Sequence, residues 1–149
     1  MFKHILIPTD GTEFSQGAIK AGIQLAKDLG AKVTGFYAAA EYPVPPFGEY
    51  MPPDMISPKE FRNAEEIRAK KILAIVEDAA RAAEVPCDTA SDVAFSPWTA
   101  IVKTAEAKGC DLIFMASHGR RGLASMLLGS ETNRVLTHTK IPVLVYRGN

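Results

Sequence analysis

Leu112-Ile-Phe-Met-Ala-Ser-His-Gly119, nine further residues and then Gly129-Ser130 form the stretch whose reading decides the fold. Leu112 to Met115 reads as a buried strand, and Ser130 stands where it would cap a helix from about Glu131 to His138. Small residues join the two. Backbone N–H groups at a helix start have no intrahelical acceptor and carry the positive end of the helix dipole, so an anion such as phosphate fits there. Gly119, Gly122 and Gly129 let the backbone approach a ligand with no Cβ in the way. Loops leaving buried strands also need glycine for conformation alone, so by themselves these glycines are a weak signal.

Outward from this junction, the runs His4 to Ile7, Val33 to Ala40 and Val143 to Tyr146 are equally apolar and do not alternate, and Cys87 to Phe95 is a weaker fifth candidate. Such strands are covered on both faces. Between them lie helical periodicities. Ala18, Gly22, Leu25 and Leu29 predict one buried face; Phe61, Ala64, Ile67 and Ile72, continuing through Ile75, Val76, Ala79 and Ala83, predict another. Ser96-Pro97 opens a helix through Ala107, and Gly30 and Gly109 stand where helices stop. The order β-α-β-α-β-α-β-α-β predicts an α/β fold: a single domain over residues 1–149, with an open parallel five-stranded sheet and helices on both faces.

Lysine plus arginine and aspartate plus glutamate number 17 each, so no global field favours nucleic acid or an anionic membrane, and anion recognition must be local. Cys87 and Cys110 belong to no CxxC pair and read as two reduced, packed thiols. The chain enters its first strand without a signal-peptide pattern and has no apolar run of membrane-spanning length, from which a cytoplasmic location is expected. Residues Glu41 to Pro58 hold six of the ten prolines together with Tyr42, Phe47 and Tyr50. This long connection either covers a pocket or meets a partner, or packs its aromatics back on the domain.

Ligands of open parallel sheets sit beyond the carboxyl ends of the strands, where the strand order reverses. If the first and fourth strands are neighbours, Asp10 faces the glycine loop across one crevice. A carboxylate there would accept hydrogen bonds from ribose hydroxyls or an adenine amine; the plainer alternative is that Asp10-Gly11 is a turn or that Asp10 caps the first helix. Arg120 either grips terminal phosphates or is a solvated surface residue, whereas Arg121 reads as solvated. His118 lies in the same loop and is counted with Gly119 and Arg120 among the candidate nucleotide-binding residues; no carboxylate partner for it can be placed from sequence, so no catalytic residues are assigned, and His4 and His138 read as structural. No GxxxxGK[ST] loop and no GxGxxG after a strand occurs. The Asp10 to Ser15 loop also lacks the SGGxDS pattern of the ATP pyrophosphatases.

Met115-Ala-Ser-His-Gly-Arg-Arg-Gly-Leu-Ala-Ser-Met-Leu-Leu-Gly-Ser130, followed by Lys140-Ile-Pro-Val-Leu-Val145 and preceded by Ile5-Leu-Ile-Pro-Thr-Asp10, resembles the universal stress protein family over nearly the whole chain. The Gly-x2-Gly-x9-Gly-Ser/Thr motif of its nucleotide-binding branch is reproduced from Gly119 onward, with Ala116 in place of the first glycine. The resemblance implies a Rossmann-like fold of the adenine nucleotide alpha hydrolase-like kind and binding of ATP or a related adenine nucleotide, alone or with Mg or Mn. It implies that Pro8, Thr9 and Asp10 line the adenosine end and that the Ala38 backbone touches the base. Met115 and Ala116 would border the ribose and first phosphate. Gly119, Gly129, Ser130 and Glu131 would give backbone N–H groups, with the Ser130 hydroxyl, to the phosphate chain. The implied role is stress-response signalling without an enzymatic reaction. Two alternatives stay open: a slow divalent-cation-dependent ATPase in which His118 or Asp10 assists a water, and a nucleotide-free interaction module. The last strand, Ile141 to Tyr146, should lie at a sheet edge, and pairing it with its twin across a twofold axis removes an aggregation hazard. A homodimer is therefore expected, as is usual in the family.

Overall fold

Handedness arranges this molecule. The computed structural model describes residues 1–44, 53–118 and 128–148. Within them the chain runs β1 (His4–Pro8), α1 (Glu13–Leu29), β2 (Lys32–Ala39), α2 (Pro58–Ala82), β3 (Cys87–Val93), α3 (Pro97–Lys108), β4 (Leu112–Ala116), α4 (Ser130–His138) and β5 (Val143–Tyr146). All five strands are parallel in the order β3-β2-β1-β4-β5. Right-handed crossovers moving from β1 through β2 to β3 put α1 and α2 on one face, and the reversed direction of β4 and β5 puts α3 and α4 on the other. The core divides accordingly. Ile5, Ile7, Leu112 and Phe114 meet Ile19, Ile23 and Val76, while Leu6, Ile113 and Met115 meet Ala100, Ile101 and Val135. Alternate residues of one strand thus serve opposite layers, which is why the runs look uniformly apolar.

The helix faces differ from the sequence reading in register. In α1 the buried side is Ser15, Ala18, Ile19, Gly22, Ile23 and Ala26, with Leu25 and Leu29 packed at its margin. A Cβ on Gly22 would lie 2.8 Å from Ile7 Cδ1 and 3.0 Å from Phe114 Cδ1, so α1 approaches the sheet most closely there. In α2 the core side is Glu65, Ala69, Ile72, Leu73, Val76 and Ala80, whereas Ala64 is exposed and Ile67 is 59% exposed. A strict three-residue step slips about 60° per repeat around a helix of 3.6 residues per turn, so the series 61, 64, 67 rotates off the core. Pro58 is the first residue of α2, not the end of the preceding connection, because Ser57 caps it: Glu60 N–H donates to Ser57 Oγ and the Glu60 carboxylate accepts from Ser57 N–H. Residues 45–52 of the proline-rich connection lie outside the described residues, between a described stretch at each end. There Tyr42 stacks edge-on against Phe61 and donates its hydroxyl to Ile56 O at 2.9 Å.

Helices α1 and α3 end at Gly30 and Gly109, both left-handed as expected, while Glu84 takes a φ of 60° just after α2. Among the described residues no helix is long and apolar enough to cross a membrane. Cys110 is buried and Cys87 half-buried; both are free thiols, and burial pushes Cys110 up to about 11, so it stays protonated near neutrality.

A polar relay closes the amino-terminal edge of the sheet. His4 Nε2 lies 2.7 Å from Thr34 Oγ1, Thr34 donates to Asp88 Oδ1, and Lys108 Nζ donates to Asp88 Oδ2 at 2.7 Å. Asp111 accepts from the backbone N–H groups of Lys3 and His4. His4 is therefore structural. Burial, aided by Lys32, holds His4 below its ordinary value. Burial alone would raise Asp88 and Asp111, but hydrogen bonds from Lys108 and Thr34 to the first, and from the His4 and Lys3 amides to the second, outweigh it and hold both low. A lowered histidine binds its proton more readily in the unfolded chain, and so do lowered carboxylates, so each contribution weakens in acid. Urea midpoints measured across pH should fall as pH drops below 6.5, the ordinary histidine value, and fall again below 3.8, the ordinary aspartate value. His4→Gln should flatten the upper step alone.

Candidate functional site

Strands β1 and β4 are neighbours, paired Ile5 to Leu112 and Leu6 to Ile113, so the strand order reverses between them. Their carboxyl ends therefore lie side by side at the kind of position where open parallel sheets take ligands. The rings of Phe14, at the start of α1, and His118, just after β4, lie 6.5 Å apart, which brings the two junctions together.

On the β1 side, Pro8 closes the strand and Thr9 turns inward, its N–H donating to Phe36 O at 2.8 Å. Asp10 Oδ1 accepts from Thr12 N–H at 2.9 Å, Thr12 Oγ1 at 2.6 Å and Ser15 Oγ at 2.9 Å. Thr12 in turn is the N-cap of α1 and accepts from Ser15 N–H. Asp10 thus organises the turn through Oδ1, as the plainer alternative for this residue has it. Gly11 sits at a φ of +80°, and a Cβ there would come within 2.9 Å of Ile72 Cγ1. Both constraints demand glycine. Ala38, near the end of β2, is half-buried toward the α3 and α4 layer.

On the β4 side, Met115 is buried in that same layer, while Ala116 packs toward the α1 face. Ala116 O accepts from Thr132 Oγ1 at 3.0 Å, Ser117 N–H donates to Tyr146 O at 2.9 Å, and Gly129 N–H donates to Ser117 O at 2.7 Å. The connection from β4 to α4 is thereby closed at its base. His118 Nδ1 lies 2.9 Å from Ser117 Oγ. Gly119, Arg120, Arg121 and Gly122 lie outside the described residues. Ser130 was expected to cap α4, but the N-cap is Gly129, at φ −67° and ψ 155°, and its carbonyl accepts from Asn133 N–H at 3.0 Å. Ser130 is the first helical residue instead.

The consequence is electrostatic. Thr12 caps α1, and Ser57 with Glu60 caps α2. At α3 the Ser96 side chain makes no cap, but Glu131 Oε2 accepts from Trp98 N–H at 2.8 Å. Among the described residues α4 alone has no side-chain acceptor at its start. Its first-turn N–H groups, from Ser130, Glu131 and Thr132, therefore carry the partial positive charge of a helix start beside the end of β4. Glu131 reaches this site by its backbone only, because its carboxylate is turned to α3, where it also lies 3.7 Å from Arg134 Nη1. Sequence reading missed that pairing, and it missed the buried Glu65, which accepts from Tyr37 Oη at 3.3 Å and Ala40 N–H at 3.1 Å beside a cavity of about 420 Å³ under the start of α2. Among the described residues no three histidine, cysteine, aspartate or glutamate side chains gather as a metal would require.

These features define an open parallel α/β domain whose strand order reverses between β1 and β4, beside a helix start without a side-chain cap. The chain belongs to the universal stress protein family, whose family model matches residues 1–147. It is 33% identical over 150 residues to universal stress protein MJ0531 of Methanocaldococcus jannaschii, covering 99% of this chain and 83% of that one. Its fold matches the solved structure of MJ0577, a hypothetical protein of the same organism, with a TM-score of 0.83 at 28% identity over 100% of this chain and 98% of that chain. A universal stress protein in complex with cAMP shares the fold at a TM-score of 0.70 and 24% identity, covering 98% of this chain and 97% of its own, and more distant structures of the fold carry AMP and dAMP.

Replacing Gly11 tests the turn. Gly11→Ala should lower stability by about 1–2 kcal/mol, read from urea denaturation, because it adds a left-handed strain and a clash with Ile72.

Proposed function

We propose that this protein binds ATP or a related adenine nucleotide in the β1/β4 crevice, and that occupancy acts as a stress-response signal and does not feed a turnover cycle. The observation that carries this reading is the start of α4, which among the described residues has no side-chain acceptor while the other three helix starts do. Phosphates would lie against the N–H groups of Ser130, Glu131 and Thr132, and the Ser130 hydroxyl adds a donor. The adenosine end would extend toward Pro8, Thr9 and Asp10 and the backbone of Ala38. Adenine nucleotides in structures of the same fold support this choice of ligand. A signalling role is favoured over hydrolysis because Asp10 already accepts three hydrogen bonds from its own turn through Oδ1, which ill suits it to activate a water.

Mass analysis of the purified protein should find retained adenine nucleotide, and calorimetry should give saturable binding of ATP. Gly129 adopts a backbone conformation open to any residue, so Gly129→Phe should fold normally and lose at least tenfold in ATP affinity by crowding the first turn. Unchanged affinity with an unchanged melting temperature would refute the placement of the phosphates.

The chain is proposed to act as a homodimer in the cytoplasm. Strand β5 is an edge of the sheet, paired to β4 on one side, and Leu144 on it is 38% exposed. Joining it to a second copy would cover that edge through an isologous interface. Sedimentation at micromolar concentration should give a particle of twice the 16.1 kDa chain mass, and Leu144→Lys should shift it toward monomer. A folded wild-type monomer at that concentration would contradict the dimer.

A further inference from the structure

We propose that Trp98 and Glu131 are a positioning pair that aims α4 at the nucleotide's phosphates, an inference that rests on the binding reading above. Helix α4 has only nine residues, too few to hold its direction by its own hydrogen bonds. One residue of α3 grips it at both ends. At the start, Trp98 N–H donates to Glu131 Oε2 at 2.8 Å; at the finish, the Trp98 ring lies on the His138 ring with centroids 4.3 Å apart and planes at 34°. Glu131, Val135 and His138 stand at i, i+4 and i+7, one face of the helix, and Val135 between them is fully buried. His138 is itself held in place, its Nδ1 lying 2.8 Å from Arg134 O and 2.9 Å from Thr137 Oγ1. Opposite this grip, Thr132 Oγ1 fastens the first turn to Ala116 O.

The pair also resolves an electrostatic conflict. A carboxylate in the first turn of α4 would repel a phosphate seated on the same turn. Bonded to Trp98 N–H, the Glu131 charge rests at the start of α3, where the dipole of that helix favours it and Ser96 leaves the place open. One carboxylate thus caps α3 and is held aside from the anion site.

This makes an unusual prediction of sign. If Glu131 mattered only as a negative charge, Glu131→Ala and Glu131→Gln would raise ATP affinity alike. With a positioning role, Glu131→Gln keeps an oxygen for Trp98 N–H and binds ATP at least as tightly as wild type, whereas Glu131→Ala loses about fivefold for ATP and is unchanged for adenosine. Calorimetry with ATP and with adenosine on the three full-length proteins reads this directly. Equal ATP affinities for the two variants would overturn the pair. If wild type bound no ATP, the binding reading itself would fail, and hydrogen exchange would judge the grip alone. Faster exchange at residues 130–133 in Glu131→Ala than in Glu131→Gln upholds it, and equal rates refute it.

Discussion

The reversal of strand order between β1 and β4 is the constraint on which this structure depends. The chain leaving β1 rises to one face of the sheet and the chain leaving β4 to the other, as right-handed crossovers require, and in open parallel sheets the ligand crevice lies where the two part. That crevice is bounded by the two strands most thoroughly enclosed by helices; all five residues of β1 are buried, as are four of the five in β4. A site built there inherits the rigidity of the core, and loop residues at its rim need to supply only chemistry.

Polar groups at the two ends of the strands are managed differently. At the amino-terminal edge His4, Thr34, Asp88 and Lys108 satisfy one another in a closed chain, and Asp111 ties down the backbone of Lys3 and His4. At the carboxyl-terminal edge Asp10, Thr12 and Ser15 likewise consume one another's hydrogen-bonding capacity. The first turn of α4 departs from this pattern, since its N-cap carries no side chain. A helix start left that way in a fold that otherwise caps its helices is better suited to an external anion than to stability, because capping it would contribute about 1 kcal/mol. The closed polar chain around Asp88 and the helix start without a side-chain cap therefore lie at opposite edges of one sheet.

Much of this was legible in the chain, and the illegible parts share a cause. Strand positions and the layer order follow from apolar runs and punctuation, and Gly30 and Gly109 announce helix ends because a left-handed residue without a Cβ has few other uses there. Glu84 performs the same turn after α2 without that signature, so nothing in its side chain marked it. The core face of α2 was misread because its apolar residues recur every three positions while its contacts follow a mixed step of three and four, and because a carboxylate, Glu65, occupies a core position. Arg68 stands beside it at i+3, but its hydrogen-bond donors, Tyr37 and the Ala40 amide, come from the far end of β2 and only the fold supplies them. The bond between Trp98 and Glu131 crosses 33 positions and joins two helices that no local pattern relates. In each case the missing information is a contact, not a propensity.

Ala116 shows how a departure from a motif is weighed once the backbone is known. Where the nucleotide-binding branch has glycine, a Cβ matters if the position needs positive φ or if a neighbour presses on it. Among the described residues the one non-glycine with positive φ is Glu84, so Ala116 takes an ordinary negative φ as the last residue of β4, in register with Tyr146. Its methyl group packs into the α1 side of the core, and its carbonyl anchors Thr132. The backbone conformation at this position therefore does not require glycine. The contact that this residue makes with α4 runs through its backbone carbonyl, a group that alanine and glycine share.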